Sequence, residues 1–255
     1  MTQVIERADL FEYTLRLGDT ALILGQRLSE WCGHAPELEE DIALANVALD
    51  LIGQSRMLLT YAGEIEGRNR SEDDLAFLRE ERAYRNVLLA EQPNDDFAHT
   101  IARQFIVDAF NVEFYSALVQ SADKTLAAIA EKSLKEVKYH LRHSAEWVIR
   151  LGDGTDLSHG KMQEALDDLW MFTGELFVMD NIDRKMIGAG IGVDLDAVKA
   201  RWNGHVEEVL REATLERPAD GWMQSGGKTG RHTEHMGHLL TELQYLQRAY
   251  PGATW

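Results

Sequence analysis

The chain has 255 residues, one cysteine and a net charge of −17, from 43 acidic and 26 basic side chains. This length allows a large core, in one domain or in two closely joined ones. The acidity argues against nucleic-acid binding through the whole surface, because phosphate recognition needs a basic footprint. It reflects either solubility or a surface matched to a basic partner. The lone Cys32 excludes an internal disulfide and is expected to be a small buried apolar side chain.

The N-terminal sequence lacks the apolar core of a signal peptide, and no run of about 18 apolar residues is apparent. We therefore expect a cytoplasmic protein without a membrane span. Prolines number only four, and Leu, Ala, Glu, Arg and Gln are abundant. This composition favours an all-α fold.

Helices are predicted first over residues 10–31 and 37–66. The second of these carries two apolar stripes at helical spacing, which predict that the helix is buried on two sides. One stripe is Leu38, Ile42, Ala45, Leu49 and Ile52, and the other is Leu44, Val47, Leu51, Ser55, Leu58 and Ala62.

Further helices are predicted over 74–89, 97–120, 123–151, 161–186, 194–215 and 232–249. Asp95 or Asp96 is the expected N-cap of the helix that begins at residue 97. Four long helices with shorter additions predict a ferritin-like four-helix bundle. We predict a single ferritin-like helical domain over residues 1–255, with the C-terminal helices from about residue 190 packing on the bundle.

The histidine spacing bears on metal binding. A di-iron bundle takes a Glu from each of two helices and a Glu-x-x-His from each of two others. None of the nine histidines follows a Glu at this spacing; Val137, for example, stands three residues before His140. The pattern predicts a bundle of this lineage that has lost its metal site and supports a catalytic partner.

Several polar residues interrupt apolar helical stretches, namely Glu30, Asn46, Asp50, Gln54, Asp108, Glu136, His140 and His143. A buried carboxylate is costly unless it is paired, so some of these groups are expected to meet in the core. Structural hydrogen bonds and metal ligation are both open at this point. The imidazoles of His232, His235 and His238 are expected to be exposed at a helix N-terminus, although they could hold a metal.

Two groups of basic residues stand out in this acidic chain. Arg79, Arg82 and Arg85 surround Tyr84 and Asn86 on a predicted short helix, and Arg184 and Lys185 lie near another helix end. Each group could receive phosphates or form ordinary ion pairs with neighbouring carboxylates.

Motifs over almost the whole chain resemble the C subunits of bacterial phenylacetyl-CoA 1,2-epoxidases. The resemblance implies a ferritin-like fold and a place in a multicomponent oxygenase. The motifs include Tyr13-Thr-Leu-Arg-Leu-Gly-Asp, Glu30-Trp-Cys-Gly-His-Ala-Pro, Glu91-Gln-Pro-Asn, Tyr139-His-Leu-Arg, Gly152-Asp-Gly-Thr-Asp, Gly226-Gly-Lys, His232-Thr-Glu-His and Gln244-Tyr-Leu-Gln-Arg.

The family's catalytic A subunit has a pattern of metal ligands that can be laid onto this chain. The resemblance then implies that half of the ligand types are missing, so that no metal and no catalytic residue are expected here. The remnant metal-site positions are Glu30, Leu51, Gln54, Asp108, Val137 and His140. Of these, Glu30, Asp108 and His140 are expected to form a neutralised hydrogen-bonded cluster.

The resemblance implies a non-catalytic structural subunit, in a cytoplasmic hetero-oligomer for phenylacetate degradation. Its expected partners are the di-iron A subunit, which epoxidises the ring of phenylacetyl-CoA with O₂, and an NADPH-dependent reductase. The alternatives are a self-contained ferritin-like di-iron oxygenase and a helical binding module unrelated to oxygen chemistry. The candidates for contact with CoA are Arg82, Ala83, Tyr84, Arg85, Asn86, Arg184, Lys185 and Met186.

Overall fold

A computed structural model describes residues 6–253, and over this range the chain contains helices and no β-strand. The prediction of an all-α, ferritin-like fold class is confirmed. The α-helices are α1 (Arg7–Ser29), α2 (Leu38–Glu66), α3 (Glu72–Phe77), α4 (Leu88–Glu91), α5 (Phe97–Leu118), α6 (Lys124–Gly152), α7 (Asp156–Trp170), α8 (Asn181–Gly188), α9 (Leu195–Glu212) and α10 (Glu234–Ala249). Short 3-10 helices occur at Glu81–Ala83, Thr173–Phe177 and Gly227–Thr229.

The chain divides into two compact units. Unit 1 is Met1–Pro93 with Ser225–Trp255, and unit 2 is Asn94–Gln224. Unit 1 contains α1–α4 and α10, and unit 2 contains α5–α9. Each unit therefore holds two of the four long helices. The single domain over residues 1–255 stays a prediction.

Unit 1 is built on the pairing of α1 with α2. A Cβ atom at Gly18 would lie 2.7 Å from Leu59 Cδ2, and one at Gly25 would lie 3.3 Å from the Ala48 oxygen. Residue numbers rise along α1 as those of the facing residues fall along α2, so the two helices are antiparallel. Glycine at these positions lets the two helices approach closely.

The α2 helix is buried on one side, not on two as predicted. The stripe that contains Leu44, Val47 and Leu51 is buried against the rest of the chain. In the other stripe, Leu38 is 72% exposed and Leu49 is 65% exposed. The apolar period of the sequence correctly indicated a helix with two apolar faces, but it did not indicate which face the chain itself buries.

The composition of α2 also bears on membrane association. Among the described residues, one helix, α2, is long enough and apolar enough to cross a membrane. Of its most apolar 18-residue stretch, 44% is buried inside the protein. One such helix is weak evidence, because the core helix of a soluble protein meets the same criterion.

Unit 2 is organised around α5, which packs against α6, α7 and α9. Asp96 caps α5 by accepting a hydrogen bond from the His99 backbone N–H at 3.0 Å, which confirms one of the two predicted N-caps. Trp202 of α9 donates its indole N–H to the Ile106 carbonyl at 3.0 Å. Its ring centroid lies 5.7 Å from that of Trp170 on α7. These contacts bury α5 on nearly all sides.

Two predicted helices are interrupted in the structure. The helix predicted over 74–89 is only α3, a 3-10 helix and α4, with extended residues between them. The helix predicted over 161–186 ends at Trp170 and resumes at Asn181. Asp180 starts the second piece with a capping box, and the backbone at Gly174 packs directly against Met223. Cys32 is exposed in the turn after α1, so its predicted burial is wrong.

Candidate functional site

The predicted remnant positions of a metal site are divided between the two units. In unit 1, Glu30 follows α1 and accepts a hydrogen bond from Arg27 Nη1 at 3.0 Å. Leu51 and Gln54 on α2 are both buried, with 1% of their surface exposed. Asn46 from the same polar stripe is exposed. Unit 1 therefore has one half-exposed carboxylate, one amide and one apolar side chain at these positions.

In unit 2, Asp108 on α5 and the segment around His140 on α6 belong to one hydrogen-bonded group. Asp108 Oδ1 accepts a hydrogen bond from Gln104 Nε2 at 2.7 Å, and Asp108 Oδ2 lies 2.8 Å from Ser144 Oγ. Ser144 Oγ also lies 3.0 Å from the His140 carbonyl oxygen. The side chains of His140 and Val137 are buried. Ser144 therefore links Asp108 to the backbone of His140.

Asp108 is protonated at neutral pH. Burial raises the pKa of Asp108 to about 8, although hydrogen bonds from Ser144 and Gln104 lower it. The Ser144 hydroxyl donates to Asp108 Oδ2, and the His140 carbonyl oxygen lies within reach of the same hydroxyl. A neutral carboxyl group in this network needs no counter-charge.

These side chains do not fit a di-iron site, which needs carboxylates and imidazoles around one point. Asp108 is already bonded to two side chains, and Leu51 and Val137 place buried apolar carbon at two ligand positions. Within residues 6–253, no three His, Cys, Asp or Glu side chains stand where they could hold a metal ion together. No metal-dependent step is assigned to this chain.

A second buried carboxyl group lies in unit 1, at the end of α4. The Glu91 carboxylate accepts hydrogen bonds from Asn86 Nδ2 at 2.9 Å and from His232 Nδ1 at 2.8 Å. It also accepts the backbone N–H of Thr233 at 2.6 Å and its hydroxyl at 2.8 Å. The Glu91 carbonyl oxygen accepts two hydrogen bonds from the Arg27 guanidinium. Four donors from three residues therefore converge on this one buried carboxyl group.

Both nitrogens of the His232 ring beside Glu91 face oxygen atoms that can accept a hydrogen bond. Its Nε2 lies 3.2 Å from the Tyr84 carbonyl oxygen, which can only accept a hydrogen bond, and its Nδ1 faces Glu91. Burial disfavours the charged ring, but the hydrogen bond and charge of Glu91 raise the pKa of His232 above its usual value. The predicted exposure of this imidazole is wrong, because its side chain is inaccessible. Its partner stands 141 residues away, beyond any local sequence signal.

The basic group around Tyr84 is partly internal. Arg79 forms a buried ion pair with Asp19 and lies over the Tyr84 ring, 4.2 Å from its centroid. The Tyr84 hydroxyl donates to the Ala76 carbonyl oxygen, and the Asn86 amide is bonded to Glu91. Both Tyr84 and Asn86 are fully buried, so these two side chains offer no surface to a ligand in this conformation.

Arg82 is the exposed member of this group, and Ala83 and Arg85 beside it are half-buried. The Arg85 guanidinium is held by the Glu12 carboxylate at 3.0 Å and by two backbone carbonyls. Arg82 therefore presents the most accessible positive charge of the cluster.

The other candidates for contact with CoA lie on α8 of unit 2. Arg184 is exposed and donates to the Met179 carbonyl at 3.1 Å, Lys185 is half-buried, and Met186 is fully buried. The contact of either basic group with CoA stays a prediction.

The fold and this chemistry define a ferritin-like helical protein in which the buried carboxyl groups of Glu91 and Asp108 bond to other side chains. The model of the family described as phenylacetic acid catabolic protein matches residues 1–255, and the chain belongs to that family. The chain is also similar to the C subunit of the 1,2-phenylacetyl-CoA epoxidase of Escherichia coli (strain K12). The two are 54% identical over 246 residues, which cover 96% of this chain and 99% of that protein.

The neutral state of Asp108 predicts a pH-dependent stability that the Asp108→Asn variant lacks. Between the ordinary pKa of 3.8 and the folded pKa of about 8, the folded chain retains a proton that the unfolded chain has released. This contribution is fully present below the lower pKa and is lost as pH rises through the upper one, at up to about 1.4 kcal/mol per pH unit. The near-isosteric amide keeps the size of the side chain and does not titrate.

Urea unfolding of the wild type and of Asp108→Asn at pH 6 and pH 8 measures this difference. We expect the variant to gain about 2 kcal/mol relative to the wild type over that interval. The exposed Asp167→Asn is the matched control and should follow the wild type. Parallel pH dependence of the wild type and Asp108→Asn would show that Asp108 is ionised.

For the Glu91–His232 pair we expect a charge-neutralising substitution to destabilise the protein, whereas Asp108→Asn gains stability relative to the wild type as pH rises. Glu91→Gln retains the size of the side chain but leaves the buried imidazolium without its counter-charge, which should cost about 3 kcal/mol at pH 6. The contribution of the pair is fully present below the ordinary His pKa of 6.5 and is lost as pH rises through the raised folded pKa. The penalty should therefore shrink at pH 9.

Chemical denaturation at both pH values, with an NMR titration of His232, tests this pair. The His232 pKa should fall in Glu91→Gln and stay raised in the control Glu234→Gln, which changes an exposed carboxylate nearby. An unchanged His232 titration in Glu91→Gln would contradict the assignment.

Proposed function

We propose that this chain is the structural, non-catalytic subunit of a multicomponent phenylacetyl-CoA 1,2-epoxidase that acts in aerobic phenylacetate degradation. The observation that carries this proposal is the 54% identity to the C subunit of such an epoxidase over nearly the full length of both proteins. Family membership over residues 1–255 supports the same role in phenylacetate catabolism.

The chemistry of the buried carboxyl groups supports a supporting rather than a catalytic role. Asp108 is neutral and bonded within unit 2, and Glu91 is bonded to His232 within unit 1. Leu51 and Val137 are buried hydrocarbon at positions where ligands are implied by the family pattern. In this proposal the iron belongs to a homologous catalytic subunit, and electrons reach that subunit from an NADPH-dependent reductase. The complex is cytoplasmic.

Metal analysis of the purified chain, alone and co-expressed with the di-iron subunit of the same organism, tests the proposal. We expect much less than one iron per lone chain, and about two irons per catalytic subunit in a complex that contains both. About two irons in the lone chain, lost in Asp108→Asn, would make this protein a self-contained di-iron oxygenase. Failure of the two proteins to co-purify would contradict the subunit role.

We also propose that Arg82 helps to bind the anionic CoA portion of the substrate in the assembled enzyme. Arg82 is the exposed positive charge of its cluster, whereas Arg85 is held by Glu12. Arg82→Glu should raise the KM for phenylacetyl-CoA several-fold, because a phosphate contact is replaced by repulsion.

The reconstituted complex provides the measurement, with KM and kcat determined separately. Arg68→Glu is the matched control, since Arg68 is an exposed arginine of unit 1 outside the candidate group. A KM that is equal in Arg82→Glu and in the wild type would exclude contact between Arg82 and CoA.

A further inference from the structure

The α2 helix carries an apolar stripe that the chain itself does not cover. Leu38, Ile42, Leu49 and Ile52 are 72%, 55%, 65% and 39% exposed, and Ala45 between them is half-buried. Single exposed aliphatic side chains are ordinary, but a row of four on one helix is not. We refer to Leu38, Ile42, Ala45, Leu49 and Ile52 as the outer stripe.

The spacing of the outer stripe is that of a helix–helix interface. Its members follow one another at intervals of four, three, four and three residues, which is the seven-residue repeat of packed helices. Over this range α2 rises by about 21 Å, at 1.5 Å per residue. Next to the stripe, a Cβ atom at Gly53 would meet nothing within 4 Å in this chain. A glycine here leaves room for a neighbouring backbone to approach α2.

The size of the outer stripe fits the apolar centre of an interface. The four aliphatic side chains expose roughly 400 Å², which is within the range of the largest apolar patch on a monomer. A stable complex buries about 800 Å² on each partner, of which the centre is apolar and the rim polar. The stripe thus accounts for the centre, and the neighbouring polar residues of α2 would form the rim.

Charge distinguishes between two kinds of helical occupant. The outer stripe begins beside the exposed carboxylates Glu37 and Glu39, in a chain whose net charge is −17. A second copy would bring the same excess of negative charge to the interface, which opposes self-association. A different subunit with basic residues beside its own apolar helix face is electrostatically complementary.

We propose that the outer stripe is the docking surface for a long helix of the homologous di-iron subunit, with apolar side chains at heptad spacing and basic residues at its rim. This inference rests on the proposed function, because it takes the partner from that assignment. It adds the surface, the geometry and the chemistry of the contact.

Two substitutions test the outer stripe from opposite directions. Leu49→Asp places a charge at its centre and should weaken binding of the purified di-iron subunit at least 100-fold. Gly53→Leu adds bulk where this chain has open space, so the free chain should keep its thermal midpoint while binding weakens at least tenfold. The control is Leu157→Asp, since Leu157 is a leucine with 71% exposure on α7, and it should change affinity less than threefold.

Binding is measured by biolayer interferometry with the di-iron subunit immobilised, and circular dichroism confirms that each variant is folded. Wild-type binding with unchanged affinity in Leu49→Asp and Gly53→Leu overturns the docking surface and leaves the proposed function intact. No binding of the wild type overturns both. The free wild-type chain is also examined by sedimentation equilibrium and by flotation with phosphatidylcholine vesicles. Dimerisation or vesicle binding that Leu49→Asp abolishes would assign the stripe to a second copy or to a membrane instead.

Discussion

In unit 1, four donors surround the Glu91 carboxylate, and Arg27 holds the carbonyl oxygen of the same residue. These bonds join α1, α4 and the start of α10, which lie far apart in the sequence. The chain between α3 and α4 is mostly irregular, so its buried polar groups need partners outside a helix. A buried carboxyl group in such a place is costly unless donors reach it, and the buried His232 ring is one of these partners. These bonds hold the start of α10 in unit 1, and Gln244 and Arg248 bond the rest of the helix to the segment around Arg79.

Unit 2 accommodates its buried carboxyl group in a different way. Asp108 faces only neutral partners, Gln104 and Ser144, and burial keeps it protonated. The two carboxyl groups thus show two ways of burying an acid, by surrounding it with hydrogen-bond donors and by keeping it protonated. In both cases the hydrogen bonds to the carboxyl group come from residues of the same unit.

The long helices and part of this chemistry were predictable from the sequence. The bounds of α2, α5 and α6 lie within about two residues of the predicted ones, because apolar periodicity over many turns is a strong signal. The predictions for the helices over 74–89 and 161–186 failed, because tertiary contacts determine these segments. Arg79 contacts Asp19 and Gly174 contacts Met223, and no local sequence pattern indicates either contact. The Glu91–His232 pair was missed for the same reason. Asp108 was recognised as a buried polar residue, but its protonation depends on Ser144 and on the degree of burial.

The one long helix that departed from expectation in its surroundings was α2. Its period predicted two buried faces, and within this chain only one is buried. A periodic apolar face records that a helix is covered, but not whether the cover comes from the same chain. The difference between a periodicity and the burial observed in a single chain is therefore information about assembly.

Leaving Leu38 and Leu49 in water forgoes the free energy of their burial, and that free energy becomes available to association when a complementary helix covers them. The acidic excess of the chain opposes the covering of this face by a second copy. The outer stripe and the charge thus act together, the first to favour association with a helix and the second to select which helix it is.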